Sequence, residues 1–210
     1  MKNNSIKHLI FDLGGVIVNL DVTKTLIEMS GLFGVNQQQL TAQYLQAPFF
    51  KQYERGEIGS EAFRSELCRL ANKDVEDRHI DKAWNAMIGN TPMFRIDWLK
   101  ELSKAYKIHM LSNTNHLHIV DFHEKFRKDT GIEQPHDIFD SVFYSYEIGH
   151  RKPEMSCYEY VLETIGAKPE EAMFFDDNQE NIKAAQALGI NSVLVPVNKL
   201  SKELLPDVEV

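Results

Sequence analysis

The 210-residue chain has few cysteines, fewer basic than acidic residues and no long apolar runs. Its two cysteines, Cys68 and Cys157, lie far apart and form no C-x-x-C pair, which argues against a disulfide framework and a zinc site. Such cysteine usage is typical of a reducing compartment, so we expect a cytoplasmic location. No apolar run approaches the roughly 20 residues of a membrane span. We do not expect a signal peptide, because Asp12 interrupts the apolar stretch near the N-terminus and no small-residue cleavage site follows it.

The charge balance narrows the expected partners. Lysine and arginine total 23 against 31 acidic residues, which gives a formal net charge of -8. An acidic surface gains nothing from counterion release, so nucleic acid is not an expected partner. A membrane is not expected either, because the sequence has no apolar run of spanning length. A small anionic substrate stays compatible with this charge, because a locally positive pocket is independent of the net charge. The sequence indicates no particular oligomeric state.

Five short apolar runs predict a parallel sheet covered on both faces, because each has the length of a strand and few polar residues. They span residues 8–11, 107–111, 141–144, 172–175 and 192–195. Segments with helical periodicity separate the later runs and begin near Thr91, with Pro92 at the first helical position, near Pro153 and after Asn178. This alternation predicts right-handed crossovers and a doubly wound α/β fold.

The stretch from about residue 21 to residue 87 has a different character. It contains no strand-like run, and its segments 61–70 and 77–88 are amphipathic with helical spacing. Asp21 is expected to cap a helix that begins at Val22. We expect an inserted helical cap of residues 19–89 above an α/β core of residues 1–18 and 90–210. The alternative is that these helices belong to one larger domain.

Polar residues follow four of the predicted strands, where ligands bind in open α/β sheets. Taken alone, the acids, Ser112 and Asn113 are explained by helix capping or turn chemistry, and Lys152 is explained as an ordinary solvated lysine. Together they would bring three acids, a hydroxyl group and a lysine to one edge of the sheet. In chain order these residues are Asp12, Ser112, Asn113, Lys152, Asp176 and Asp177.

The segments hhhDhGG, hhhhSNTN, RKP and hhFFDDNxxNhxxA, where h is apolar, resemble the four motifs of the haloacid dehalogenase-like hydrolases. The resemblance covers nearly the whole chain, and the inserted block lies where that family has its type 1 helical cap. It is strongest for the branch of glucose-1-phosphate phosphatase-like enzymes and the amino-terminal phosphatase domains of epoxide hydrolases. It implies a doubly wound parallel Rossmann-like sheet of order 3-2-1-4-5 with an inserted all-α cap domain.

The resemblance also implies a Mg²⁺-dependent phosphatase that acts on a small phosphorylated metabolite. Asp12 would be the nucleophile and would form an aspartyl-phosphate intermediate. Asp12, the backbone carbonyl of Gly14 and Asp177 would bind Mg²⁺, which prefers oxygen ligands. The expected catalytic pair is Asp12 with Lys152.

The remaining motif residues would bind the phosphoryl group. Ser112 and the Asn113 amide would donate hydrogen bonds to its oxygens, and Lys152 would add a fixed positive charge. Asp176 would not contact the phosphoryl group and would instead orient Lys152 or a water ligand of the ion. Residues 52–55 are candidate substrate contacts from the cap, or the polar face of a helix.

One position departs from the family pattern. Most phosphatases of this family have a second aspartate two positions after the nucleophile, where this chain has Gly14. Losing a general acid and base costs roughly 10²–10⁴-fold in rate. A sugar 1-phosphate loses a hemiacetal oxygen, which leaves more readily than an alkoxide, so we expect a sugar phosphate and in particular a sugar 1-phosphate. His116, His118 and His150 are candidates for the missing acid, although a structural role is favoured for each.

Two other functions stay open. A haloacid dehalogenase uses the same nucleophile on carbon without a metal, and Gly14 is compatible with it. The paired acids Asp176 and Asp177 disfavour that function, because they suit a cation and would repel a carboxylate substrate. A binding protein that has lost catalysis would have no need of Asp12 and Lys152 beside Asp177.

Overall fold

The computed structural model describes residues 6–41 and 47–204. A five-stranded parallel sheet of order β3-β2-β1-β4-β5 lies at its centre. This confirms the expected sheet and its order, and each predicted strand agrees with the structure to within one residue at either end. The strands are β1 (His8–Phe11), β2 (Lys107–Ser112), β3 (Ser141–Tyr144), β4 (Ala172–Asp176) and β5 (Asn191–Leu194).

Helices connect and cover the strands. Between β1 and β2 lie α1 (Val22–Phe33), α2 (Gln37–Gln39), α3 (Pro48–Glu54), α4 (Ser60–Ala71), α5 (Asp77–Asn85) and α6 (Met93–Leu102). After β2 come α7 (His116–Thr130), then α8 (Ser145–Ile148) and α9 (Met155–Ile165) after β3, and α10 (Gln179–Ala187) between β4 and β5. Within the described ranges, no helix is both long and apolar enough to cross a bilayer.

Of the four predicted helix starts, those after Asp21 and Asn178 were right, whereas those at Pro92 and Pro153 lie one and two residues before the observed starts at Met93 and Met155. Asp21 and Asn178 cap α1 and α10, since each side chain accepts a hydrogen bond from a backbone N–H in the first turn. The prediction that Thr91 caps α6 was wrong, because Pro92 holds the N-cap position. The Thr91 N–H instead donates to a carboxylate oxygen of Asp129 on α7 at 2.8 Å, a long-range contact that the local pattern does not reveal.

Two apolar layers hold the sheet, one on each face, because successive side chains of a strand point in opposite directions. Leu9 and Phe11 of β1 belong to the cluster that includes α6 and α7, whereas Ile10 belongs to the cluster that includes α9 and α10. All three side chains are buried. This packing fixes the register of β1 against β2 and β4, and so it fixes the point where Asp12 leaves the sheet.

Helices α1, α3, α4 and α5 share an apolar cluster of their own, which Leu117 of α7 joins from outside the block. Phe63 is fully buried at its centre. The rings of Phe49, Phe50, Tyr53 and Trp84 surround Phe63, with centroid distances from 4.3 Å for Tyr53 to 5.8 Å for Phe49. These helices therefore have a core that is largely separate from the two layers on the sheet.

Two histidines make the stability of the fold depend on pH. His109 on β2 is 3% exposed, and its Nδ1 atom has no partner within the described ranges. Burial lowers the pKa of His109 and of His118 on α7 to about 4, from an ordinary 6.5. Between these values the unfolded chain binds more protons than the folded one, so this stability is fully present above pH 6.5 and is lost as the pH falls toward 4.

Urea unfolding between pH 7 and pH 4.5 should therefore show a free energy of unfolding that falls by up to about 1.4 kcal/mol per pH unit for each histidine. In His109→Gln the pH dependence should be shallower than in the wild type, because a glutamine does not take up a proton. Equal slopes for His109→Gln and the wild type would contradict the prediction.

Candidate active site

The carboxyl ends of the central strands bring the predicted site residues together. Asp12 directly follows β1 and Asp176 ends the adjacent strand β4, where the Asp12 N–H donates to the carbonyl of Phe175 at 2.8 Å. Lys152 arrives from the segment between α8 and α9. Its Nζ lies 2.8 Å from Asp12 Oδ1 and 2.6 Å from Asp176 Oδ2. Three residues from distant parts of the sequence thus form one buried ion cluster.

Lys152 is 1% exposed, and its ammonium group has three partners within the protein. Besides the two carboxylates, Nζ donates to the carbonyl oxygen of Leu111 at 2.9 Å. Burial by itself lowers the pKa of Lys152, but the charges of Asp12 and Asp176 outweigh this effect and raise it overall. The lysine therefore holds a fixed positive charge beside Asp12.

The Asn113 side chain fixes the backbone of Lys152. Its Oδ1 accepts a hydrogen bond from the Lys152 N–H at 2.8 Å, and its Nδ2 donates to the Lys152 carbonyl at 2.7 Å. Sequence reasoning expected the Asn113 amide to bind a ligand. With the side-chain amide engaged, that expectation depends on the backbone N–H of Asn113. Ser112, the last residue of β2, lines the same cavity as Asp12 and Lys152.

Asp176 is fully buried, and both of its oxygens have partners. Oδ1 accepts from the Asn178 N–H at 2.8 Å and from Asn181 Nδ2 at 3.0 Å, while Oδ2 accepts from Lys152. Such a carboxylate holds its neighbours in place and has little capacity for a further ligand. Sequence reasoning assigned no role to Asn181, although its place in the first turns of α10, after the paired acids, was a usable signal.

Asp177 completes a cluster of acids. One carboxylate oxygen from each of Asp12, Asp176 and Asp177 lies within 4.8 Å of the others. Gly15 makes room for Asp177, because a Cβ on this residue, which has φ +73°, would lie 2.1 Å from Asp177 Oδ2. The sequence-predicted acids thus meet at one point beside the loop that follows β1.

The charges of the cluster fit a divalent cation. One ammonium faces three carboxylates, which leaves two formal negative charges in a partly buried site. Burial raises the pKa of Asp12 to about 7 and also raises the pKa of Asp177, and the charge of Asp176 raises both further while Lys152 opposes the shift. Because Asp176 is already saturated by hydrogen bonds, the carboxylates suited to hold Mg²⁺ are those of Asp12 and Asp177.

These residues line a cavity of about 480 Å³ between the sheet edge and the helical block. This volume is in the range of sites for small metabolites. Gly14 and Leu20 contribute from the loop after β1, and α7 contributes Ile119 and Phe122. The block contributes Phe50, Lys51, Glu54 and Trp84.

Of residues 52–55, Glu54 alone lines this cavity, and its Oε2 accepts a hydrogen bond from Arg151 Nε at 2.8 Å. Tyr53 is buried, and its hydroxyl contacts Ser60 and the Leu117 N–H. The sequence alone does not show that Glu54 faces the cavity while Tyr53 faces the apolar cluster of the helical block, because both orientations depend on where α3 packs.

The candidate histidines do not replace the missing acid. His118 lines the cavity, but its Nε2 donates to the Trp84 carbonyl at 3.3 Å and its Nδ1 accepts from Asn115 Nδ2 at 3.2 Å. Because a carbonyl oxygen only accepts, the proton of the neutral ring lies on Nε2. Neither His116, which is exposed, nor His150, which contacts Ser156, lines the cavity.

Fold and site together define a Rossmann-like α/β hydrolase with an acidic site at the carboxyl edge of its sheet. The chain belongs to the haloacid dehalogenase-like hydrolases, and the sequence profile of that family matches residues 6–189. The family resemblance inferred from the four motifs is thereby confirmed.

Phosphatases and magnesium-bound enzymes are among the similar proteins. D-ribitol-5-phosphate phosphatase of Bacteroides thetaiotaomicron is 26% identical over 187 residues, which cover 89% of this chain and 90% of the relative. Rat bifunctional epoxide hydrolase 2 is 42% identical over 57 residues, which are 27% of this chain and 10% of that protein. A HAD family enzyme of B. thetaiotaomicron, solved with magnesium and inorganic phosphate, has a TM-score of 0.83 and 32% identity, covering 95% of this chain and 98% of that one.

Lys152→Met should destabilise the protein in EDTA by about 3–5 kcal/mol, because it leaves two buried carboxylates without their cation. Urea unfolding at pH 7 measures this loss. Lys183→Met, at a side chain that is 62% exposed, is the matched control and should change stability by less than about 0.5 kcal/mol. Equal stability of the two variants would show that the ammonium does not hold the cluster together.

Proposed function

We propose that the protein is a Mg²⁺-dependent phosphatase that hydrolyses a small phosphorylated metabolite through an aspartyl-phosphate intermediate on Asp12. The observation that carries the proposal is the Lys152 ammonium 2.8 Å from Asp12 Oδ1, with the Asp177 carboxylate in the same cavity. Support also comes from the D-ribitol-5-phosphate phosphatase that aligns along most of the chain, and from the similar enzyme solved with magnesium and phosphate.

In this proposal, a carboxylate oxygen of Asp12 forms a bond to phosphorus as the bond from phosphorus to the leaving oxygen breaks. Lys152 stabilises the charge that spreads over the phosphoryl oxygens, and Ser112 and the Asn113 N–H donate hydrogen bonds to them. Water then cleaves the aspartyl phosphate and releases inorganic phosphate. Asp176 acts as a positioning residue, because it holds Lys152.

A bound Mg²⁺ would neutralise the acidic cluster and polarise the phosphoryl oxygens. Asp12, Asp177 and the backbone carbonyl of Gly14 are the groups that would hold it. The two uncompensated negative charges and the free capacity of these carboxylates support this assignment.

A sugar phosphate, in particular a sugar 1-phosphate, is the substrate class we propose. The relative named for D-ribitol 5-phosphate supports a phosphorylated substrate of this size; because that ester is the phosphate of a primary alcohol, it does not support the 1-phosphate. Gly14 supports the 1-phosphate, since a hemiacetal oxygen leaves with little help from a general acid.

We also infer that residues 19–89 act as a cap over the core of residues 1–18 and 90–210. The separate apolar cluster around Phe63 supports this division. Two ion pairs join the end of α3 to the segment that carries Lys152, namely Glu54 with Arg151 and Arg55 with Glu154. A cap of this kind would select among leaving groups while the core supplies the chemistry.

Asp12→Asn should reduce Mg²⁺-dependent phosphate release from p-nitrophenyl phosphate by roughly 10³-fold or more, because the amide is a poor nucleophile. Asp97→Asn, at an exposed position on α6, is the matched control and should keep wild-type activity. Full activity in EDTA, or halide release from a 2-haloacid without metal, would contradict the proposal and favour a dehalogenase.

A further inference from the structure

Leu20 fills the space beside Gly14 that a side chain at position 14 would need. A Cβ built on Gly14 would lie 2.5 Å from Leu20 Cδ1 and 3.1 Å from Leu20 Cγ. An aspartate there would have to displace the leucine. Both residues line the cavity that contains Asp12, so Leu20 presents an apolar group where a proton donor would otherwise lie.

The backbone of Leu20 is held by the side chain of Asn198, far away in sequence. The Leu20 N–H donates to Asn198 Oδ1 at 2.8 Å, and Asn198 Nδ2 donates to the Leu20 carbonyl at 2.9 Å. Asn198 itself has φ +61°, and its N–H donates to the Gly15 carbonyl at 2.6 Å. One amide side chain thus fixes both peptide groups of Leu20 relative to the loop that follows Asp12.

A buried arginine reinforces the same loop. Arg95 is 2% exposed and donates to the backbone carbonyls of Ile17, at 3.0 Å, and of Asn198, at 2.5 Å. Its guanidinium therefore ties the 14–20 loop to the segment of Asn198. The backbone of Leu20 is consequently fixed, since hydrogen bonds from Asn198 and from Arg95 join the loop to the segment of Asn198.

Among the other polar side chains toward the helical block, Glu54 is the competing proton donor. Both ring nitrogens of His118 are engaged. Burial raises the pKa of Glu54, and its partner Arg151 opposes this shift without cancelling it. Glu54 also lines the cavity, so the experiment has to test this carboxyl group against the inference.

We propose that Leu20 is a specificity-determining residue together with Gly14: Gly14 carries no acid, Leu20 occupies the space that an acid would need, and the pair restricts efficient hydrolysis to phosphomonoesters whose leaving oxygen departs as a stable anion. This inference rests on the proposed function. As the bond from Asp12 to phosphorus forms, the electron pair of the breaking bond goes to the leaving oxygen, which takes its proton from solvent afterwards. Aryl phosphates and sugar 1-phosphates share this chemistry, whereas phosphates of primary alcohols do not.

The test measures kcat/KM with Mg²⁺ for a series of para-substituted phenyl phosphates, for glucose 1-phosphate and for glucose 6-phosphate. In the wild type, kcat/KM should fall steeply as the phenol becomes more basic. At least one of the two favoured classes should exceed glucose 6-phosphate by on the order of 10²-fold or more. Comparing the aryl phosphates with glucose 1-phosphate identifies which of the two favoured classes of ester the cavity prefers.

Variants test the role of Leu20 directly. Gly14→Asp combined with Leu20→Ala supplies both a carboxyl group and room for it. It should raise the rate on glucose 6-phosphate relative to p-nitrophenyl phosphate by about 10²–10⁴-fold and flatten the dependence on phenol basicity. Leu20→Ala alone, which gives room without an acid, and Gly14→Asp alone, which gives an acid without room, should keep the steep dependence.

The kcat/KM values of the wild type test the inference even if the double variant does not fold. Equal rates on glucose 6-phosphate and on both favoured classes, with Mg²⁺-dependent phosphate release intact, would overturn the role of Leu20 and leave the proposed function standing. A dependence on phenol basicity that becomes steeper in Glu54→Gln would assign the proton to Glu54 and would also overturn the inference. Absence of Mg²⁺-dependent release from every ester would overturn the proposed function itself.

Discussion

The buried ammonium of Lys152 between Asp12 and Asp176 is the interaction on which the rest of the site depends. It joins the ends of β1 and β4, and its third hydrogen bond reaches the carbonyl of Leu111 on β2. Asn113 fixes the lysine backbone from the same edge. The arrangement still leaves Asp177 uncompensated, which explains how one site can be firmly built and yet have capacity for a divalent cation.

The two adjacent glycines after Asp12 have different consequences. Gly15 leaves room for the Asp177 carboxylate, which no other residue type would allow at that backbone position. Gly14 leaves room for Leu20, so an apolar side chain occupies the space that the side chain of an acid at position 14 would need. In the proposed function, one loop therefore admits the negative charge that would hold a metal ion and excludes an acid that a poor leaving group would need.

Much of the fold and the meeting of the site residues could be predicted from the sequence. Apolar runs of strand length locate strands well, and parallel strands bring the residues at their carboxyl ends to one edge. The sequence could not reveal that Asn113 binds the Lys152 backbone or that Leu20 meets Gly14. Each of these depends on where distant segments pack and which way a side chain turns, and neither periodicity nor motif spacing encodes that.

The most direct test of the account is a crystal structure of the protein with Mg²⁺ and beryllium trifluoride, which mimics a phosphoryl group on a carboxylate. The account predicts the beryllium on a carboxylate oxygen of Asp12, with Lys152 against its fluorides and the ion bound by Asp12 and Asp177. An ion bound away from these two carboxylates, or a phosphoryl mimic attached to another residue, would contradict it.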